Sequence, residues 1–522
     1  MSKKTSKKSS DILLLTWPRQ WDSPMGYRIR QQRRDTMTHV ALQDENARSR
    51  TDSYRGYSNL PPLVGLHSMT EASTKGLTVA ESVARLLRLH WSLKRLHMIF
   101  VSRITATPIY ELKMAFSLHA HYCAEHVEEF ATRVREMRQP PYGLESAPDA
   151  SLDVFFDEIL AAPDTEFLVL GLYKYAIPAV TRALERLIAD TNKLFDHPTY
   201  RVCRLTLVEL QDVLQFGEHA VESLVEEDMQ DSLREWAHLL EQLLSAASDL
   251  DGTQPRTTDR LRPIFSALPY QYDGVPNRDE RFKDPYNMGV NAEAFLFNSK
   301  IPALPKSIML YFKRMREIDV PEVMSSILAE TQGKPWEYYR AMTRQLWDEA
   351  RHAMMGEIGF VSMGIDWTRI PLNFTWSLGL NTRLTALDRH AVLYAIEQGL
   401  MPKKTGKQYE WEVALATANR LTAVIQDYDW ADEIVHARIG RDWLVPELGG
   451  QKQALAYGDS AWSRVLVDWA KWREEGLTKH RNWWPDVYRA ACKYWGVEPE
   501  PELLAYDTTY ENTRADLKQV AG

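Results

Sequence analysis

From about residue 76 the apolar residues recur at intervals of three and four, the period of an amphipathic helix. The run Val79-Ala-Glu-Ser-Val-Ala-Arg-Leu-Leu-Arg-Leu-His shows the pattern. It predicts further helices over about 108–138, 165–195 and 198–248. Pro140-Pro141 ends one of them, and Asp196-His-Pro198 separates two others. Four long helices with short connections make a bundle. Between 251 and 305 the period is lost among Pro255, Pro263, Pro269, Pro276, Pro285 and Pro302, so this stretch reads as a linker or wrapping loop. The pattern returns over 306–332, 336–360, 382–401 and 409–444, with sharp turns at Gly333-Lys-Pro335 and Lys403-Lys-Thr-Gly406. Alternating strand patterns are absent. The expected architecture is all-α: two helical bundles in tandem (76–250 and 306–450), an irregular arm (1–75) and a helical extension (451–522).

The arm carries Trp17, Trp21, Tyr27, Tyr54 and Tyr57, which suits packing on a bundle or on a partner subunit. The extension is rich in tryptophan, including Trp462, Trp472, Trp483 and Trp484, and reads as packing and assembly surface. Of the 522 residues, 44% are hydrophobic and 26% charged, the balance of a globular chain. A net charge of −8 argues against a general nucleic-acid or anionic-membrane surface. Three cysteines, Cys123, Cys203 and Cys492, exclude a disulfide framework and suit a reducing cytoplasm. The short apolar stretch Ile12-Leu-Leu-Leu-Thr-Trp does not make a signal peptide, and no run reads as a membrane span. The expectation is a cytoplasmic protein.

Three Glu-x-x-His motifs occur, at Glu235…His238, Glu349…His352 and Glu433…His436. The first has no companion features and reads as a solvated helix face. The other two have the forms Trp347-Asp-Glu-Ala-Arg-His352 and Ala431-Asp-Glu-Ile-Val-His436, each inside a long helical stretch. Residues i and i+3 share a helix face about 5–6 Å apart, so a carboxylate and an imidazole can hold one metal ion together. Two facing helices of this kind supply two carboxylates and two histidines. A dinuclear site also needs one Glu from each of two more helices. Glu322 and Glu397 precede Glu349 and Glu433 by one helix each. The distances from Glu322 to Gly333 and from Pro335 to Glu349 bring those two carboxylates to similar heights in an antiparallel hairpin. Glu317 and Glu293 are rivals to Glu322, because Pro321 obscures where that helix starts. Glu397 lies among Val392, Leu393, Ala395, Ile396 and Leu400, so it faces inward, where an unpartnered carboxylate is costly.

The order Glu, Glu-x-x-His, Glu, Glu-x-x-His on four helices resembles the ferritin-like di-iron carboxylate proteins. Asp-Glu-Ala-Arg-His is similar to the helix motif of bacterial di-iron monooxygenase and reductase subunits. The segments around Glu397 and Asp432 resemble little-characterised bacterial ferritin-like proteins. The resemblance spans about residues 306–444. It implies two ferritin-like bundles in tandem, the second with a metal site of Glu322, Glu349, His352, Glu397, Glu433 and His436. Glu349 and Glu433 would bridge two iron ions, or a manganese–iron pair, with dioxygen as co-substrate. Asp348 and Asp432 would fix the histidine tautomers, and Arg351 would neutralise that layer. Tyr394, three residues before Glu397, is a candidate for hydrogen bonding at the metals or for radical chemistry. The function implied is oxidation or oxygenation of a small molecule, with electrons from a donor protein and homodimeric assembly. The alternatives are a ferritin-like iron-oxidising or peroxide-detoxifying protein, and a helical scaffold around a structural metal.

The first bundle reads as a metal-free copy. Val208–Gly217 aligns with Ala431–Gly440 when the glycines are matched, and Leu210 and Val213 then replace Glu433 and His436. His119, Cys123 and His126 share one helix face and form a weaker second metal candidate; His121 points elsewhere. Gly356 and Gly440 each follow a candidate histidine by four residues, which suits either space for a substrate or close helix packing.

Overall fold

The computed structural model describes residues 50–509, apart from 139–142, 227–229, 258–260, 288, 404–405, 467–468 and 480. Trp17, Trp21, Tyr27 and Pro140-Pro141 lie outside the described residues. The described residues are helices and loops, with one isolated bridge between Val290 and Thr509 and no strand. Two units result. The smaller joins the described residues from 50 to Gly76 with Asn192–Phe195. In it Asn192 Nδ2 donates to the carbonyls of Ala72 and Lys75, at 2.8 Å each. The short helix Met69–Thr74 opens with a capping box between Ser68 and Glu71.

The larger unit holds everything else. Its first helices are α1 (Val79–Arg103), α2 (Tyr110–Glu136), α3 (Ala150–Leu160), α4 (Thr165–Asp190), α5 (His197–Leu224) and α6 (Asp231–Ala246). The stretch expected as one helix over 198–248 is thus two. Thr78 and Glu81 form a capping box at α1, and Asp196 caps α5 just before Pro198. A π turn at Leu170–Ala176 interrupts α4, since Pro178 has no N–H to offer the carbonyl one turn back. By length and composition α4 would cross a membrane, yet 72% of its apolar window is buried inside the protein. Around the bundle α1 neighbours α2, α2 neighbours α5, α5 neighbours α4, and α4 returns to α1.

The second set is α7 (Ala303–Arg316), α8 (Asp319–Glu330), α9 (Trp336–Ser362), α10 (Thr375–Arg383), α11 (Ala386–Gly399), α12 (Lys407–Ala416), α13 (Arg420–Trp443), α14 (Gln451–Leu466) and α15 (Trp484–Trp495). Here α8 neighbours α9, α9 neighbours α13, α13 neighbours α11, and α11 returns to α8, the same cyclic order as in the first bundle. The matched glycines behave alike. A Cβ on Gly440 of α13 would sit 2.8 Å from Cγ of Tyr394 on α11, and one on Gly217 of α5 would sit 2.7 Å from Cγ of Tyr173 on α4. Leu210 and Val213 are buried in the core.

The bundles lie side by side, α1 against α8 and α2 against α9. One apolar core continues from Leu89, Leu93 and Leu96 into Met324, Ile327, Met342 and Leu346. Burial of this much apolar surface is the main stabilising term. Polar ties cross the junction, His97 Nε2 to Thr343 Oγ1 at 2.8 Å and Trp336 Nε1 to the Ala124 carbonyl at 3.1 Å. The proline-rich 251–305 stretch is not only a surface connection: Val290, Phe295 and Leu296 are buried, and Arg278 reaches the interior. Trp483 and Trp484 of the C-terminal extension belong to a second core with α7 and α9.

A candidate metal centre at the heart of the second bundle

The site begins with a break in a helix. The sequence predicts one helix over 306–332, but α7 stops at Arg316 and α8 starts at Asp319. Pro321 cannot donate to the carbonyl of Glu317, which instead accepts from Val320 N at 3.0 Å. Glu317 sits at this kink and turns its side chain inward. Glu322, the ligand expected from hairpin register, does not join the cluster. Five residues further on, it faces another side of the bundle. There it meets Lys113 Nζ and Arg278 Nη2 at 3.0 Å each and accepts from Ser377 Oγ at 2.7 Å. Hairpin register places Glu322 beside Glu349 only along one straight helix, and the break after Arg316 removes that condition. Glu293, the other rival, lies on a short helix 3.5 Å from Lys313.

Four carboxylates and two imidazoles come together. Ligand atoms of Glu317, Glu349, His352 and Glu433 lie within 4.8 Å of one another, and so do those of Glu349, Glu397, Glu433 and His436. Glu349 and Glu433 belong to both groups. Glu349 directs Oε2 to His352 Nδ1 at 3.5 Å and Oε1 to His436 Nδ1 at 3.1 Å. Glu433 approaches the same two nitrogens at 4.0 and 3.6 Å. Each helix contributes by its own period: Glu349 and His352 on α9, Glu433 and His436 on α13, each pair three residues apart on one face.

The outer ring nitrogens are tied across the bundle. His352 Nε2 lies 3.3 Å from Asp432 Oδ2, and His436 Nε2 lies 3.4 Å from Asp348 Oδ2. Arg351 spans the two aspartates, donating to Asp432 at 2.7 Å and to Asp348. Arg344 adds two 2.9 Å contacts to Asp348. These ties aim both Nδ1 atoms inward.

Among the ligand atoms of the two groups, Glu317 Oε2, His352 Nδ1, Glu397 Oε2, Glu433 Oε2 and His436 Nδ1 are buried and make no hydrogen bond. Orphaned buried polar atoms are costly, and atoms that converge on one place fit a shared cation. Oxygen with imidazole nitrogen is a donor set for iron, manganese or zinc.

Charge is concentrated here. Burial opposes the charged form of Glu317, but Arg314, Lys407 and His352 outweigh it and hold its pKa at about 2. Burial and the neighbouring Glu433 and Glu349 push Glu397 well above the usual range. Glu433 is held low, against burial, by Lys407 and by the neighbouring Glu397 and His436. Burial would lower His352, yet Asp432, Glu317 and Glu349 raise it to about 10. Carboxylates and imidazoles bind protons and metal ions at the same atoms, so metal binding here would be coupled to proton release.

Several partners were not foreseen. The stretch expected as one helix over 409–444 is broken at Thr417–Asn419, with Ala418 at φ 57°. The first piece, α12, begins with Lys407, whose buried Nζ lies 2.9 Å from both Glu433 Oε1 and Asp429 Oδ1. Arg314 meets Glu317 at 2.9 Å and also contacts Asp429. Gln345 donates to Glu397 at 3.1 Å. Asp429 was legible in principle, since it stands one turn before Glu433 on the same face. Lys407 was not, because its chain segment returns to the site only through the turn at 400–407.

A cavity of about 350 Å³ opens on Glu317, Glu349, Glu397 and Glu433. Val320, Trp376, Leu393, Ile396, Leu400 and Trp462 form its apolar wall. Trp376 and Trp462 meet edge to face, with centroids 4.4 Å apart. Trp462 thus brings the C-terminal extension to the site. Tyr394 does not line this cavity; its ring packs on Gly440 in a small cluster with Ala391, Leu444 and Ala454. Gly356 likewise serves close packing, against the backbone of α7. The His119, Cys123 and His126 face assembles no ligand group: His119 Nδ1 bonds Tyr173 at 2.9 Å, and His126 Nε2 pairs with Glu209 at 2.8 Å. No family model, curated protein or solved structure matches the chain.

Proposed function

We propose that the protein is a ferritin-like, non-haem di-iron or manganese–iron oxidoreductase that uses dioxygen to oxidise or oxygenate a small molecule. The observation that carries this reading is the sharing of Glu349 and Glu433 between two four-ligand groups. A single structural ion needs only one such group. When bound, the metal pair would supply reduction of dioxygen.

The chain's own residues have separable tasks in this reading. Glu349 and Glu433 hold the two positions together. Glu317 with His352, and Glu397 with His436, complete one position each. Asp432 and Asp348 keep the imidazoles in the tautomer that leaves Nδ1 free to coordinate. Gln345 fixes one oxygen of Glu397 and leaves the other for the metal. The apolar wall of the cavity would pack against an apolar part of a substrate, with the charged groups on the opposite side.

The test is metal analysis of anaerobically purified protein reconstituted with iron(II), followed by optical spectra on addition of oxygen. Two ions per chain at saturating iron, an oxygen-dependent charge-transfer band, and loss of both in Glu349→Ala protein that stays folded are expected. Less than one ion per chain after reconstitution would overturn the proposal.

A further inference from the structure

The two ligand groups differ in what already holds them. In the group of Glu317 and His352, cations occupy two of the four ligands. Lys407 Nζ sits 2.9 Å from Glu433 Oε1 and 3.7 Å from Glu317 Oε1, and Arg314 sits 2.9 Å from Glu317 Oε1. In the group of Glu397 and His436, Glu397 meets the neutral amide of Gln345, and no Lys or Arg among the described residues pairs with it. Glu433 divides accordingly: Oε1 is held by Lys407, while Oε2 faces His436 and has no hydrogen bond.

The fold delivers Lys407 to this place. Gly406 N bonds the Pro402 carbonyl at 2.8 Å, and Lys407 N bonds the Leu400 carbonyl at 3.0 Å. A Cβ at position 406 would lie 2.7 Å from the carbonyl carbon of Leu400, so the turn closes only over a glycine. Lys407 is then buried beside Asp429, which pairs with it and with Arg314. A fixed ammonium beside a ligand oxygen repels a second cation strongly where water is excluded.

We propose that Lys407 makes the two metal positions unequal. One divalent ion binds tightly at Glu349, Glu397, Glu433 and His436. The second, at Glu317, Glu349, His352 and Glu433, binds weakly because it must displace Lys407 from Glu433. This inference rests on the metal-centre reading above.

The experiment is titration of the metal-free full chain with manganese(II), following bound ions and the electron paramagnetic resonance of the complex. The expected result is one tight ion with the signal of an isolated manganese. A second ion enters at free manganese at least tenfold higher, with an exchange-coupled signal. Lys407→Met should bring the two affinities to within about threefold. Should that variant fail to fold, Glu397→Gln and Glu317→Gln decide independently: the first should lose the tight ion, and the second should keep it. Two ions of equal affinity in the wild type, coupled from the first equivalent, would overturn the inference and leave the metal centre standing. No manganese bound at any concentration would overturn the metal centre itself.

Discussion

Gly356 offers the sharpest test of how the site is held together. It lies one turn beyond His352 on α9, against the backbone of α7. A Cβ there would come within 2.6 Å of the Tyr311 carbonyl oxygen, about 0.8 Å short of the 3.4 Å at which ordinary contact begins. The obstruction is helix backbone, so no rotamer change relieves it and α7 has to move as a body. Overpacking costs about 1–3 kcal/mol, and a backbone obstruction belongs at the upper end. Against this, alanine improves on glycine in a helix interior by about 1 kcal/mol. Gly356→Ala should therefore destabilise by about 2 kcal/mol, lowering the thermal midpoint of a chain this long by about 2 °C. Glu317 follows directly on the displaced helix, so its approach to His352, now 3.4 Å, should lengthen and metal retention should fall. Gly399→Ala is the control: it meets open space at the end of α11, and only the propensity gain applies. Thermal unfolding by circular dichroism and metal content of both variants provide the readout. A Gly356→Ala midpoint at or above the wild type would refute the packing argument.

Three further outcomes are expected. Asp429→Leu leaves Lys407 and Arg314 buried with a lost counter-charge, which should cost about 3–5 kcal/mol, read from chemical unfolding; unchanged stability would contradict that pairing. Glu158 accepts from Trp236 Nε1 at 2.9 Å, from Ser266 N at 2.8 Å and from the amides of Ile264 and Phe265. Glu158→Ala should cost about 2–3 kcal/mol and speed hydrogen exchange at residues 264–266, whereas unaltered exchange there would show that other contacts hold the segment. Burial lowers the pKa of His126, but Glu129 and Glu209 outweigh it and raise it above 6.5. A raised histidine contributes stability fully below its unfolded value and loses it as pH rises through the folded value. The advantage of wild type over His126→Asn should thus be greatest below pH 6.5 and shrink above it; a gap that widens with pH would reverse the assigned sign.

The sequence by itself determined what local periodicity and chemistry determine. Spacings of three and four marked the long helices, because a face that must be buried has to repeat with the helix turn. The same periodicity put Glu349 with His352 and Glu433 with His436, and an inward Glu397 was legible from its apolar neighbours. What escaped was everything set by breaks in helices and by chain returns. Pro321 signalled trouble at the first helix, but only the packed structure shows the kink at Glu317 that brings this residue in and sends Glu322 to Lys113 and Arg278. The turn over Gly406 lays Lys407 against Glu433, a contact that no pattern along the chain encodes. Trp462 reaches the cavity from the C-terminal extension for the same reason. Gly440 and Tyr394 were visible as letters, yet their contact depends on how closely α13 and α11 approach. Helix faces follow from neighbours in sequence; which faces meet, and which cation stands between two carboxylates, follows from distances that only folding sets.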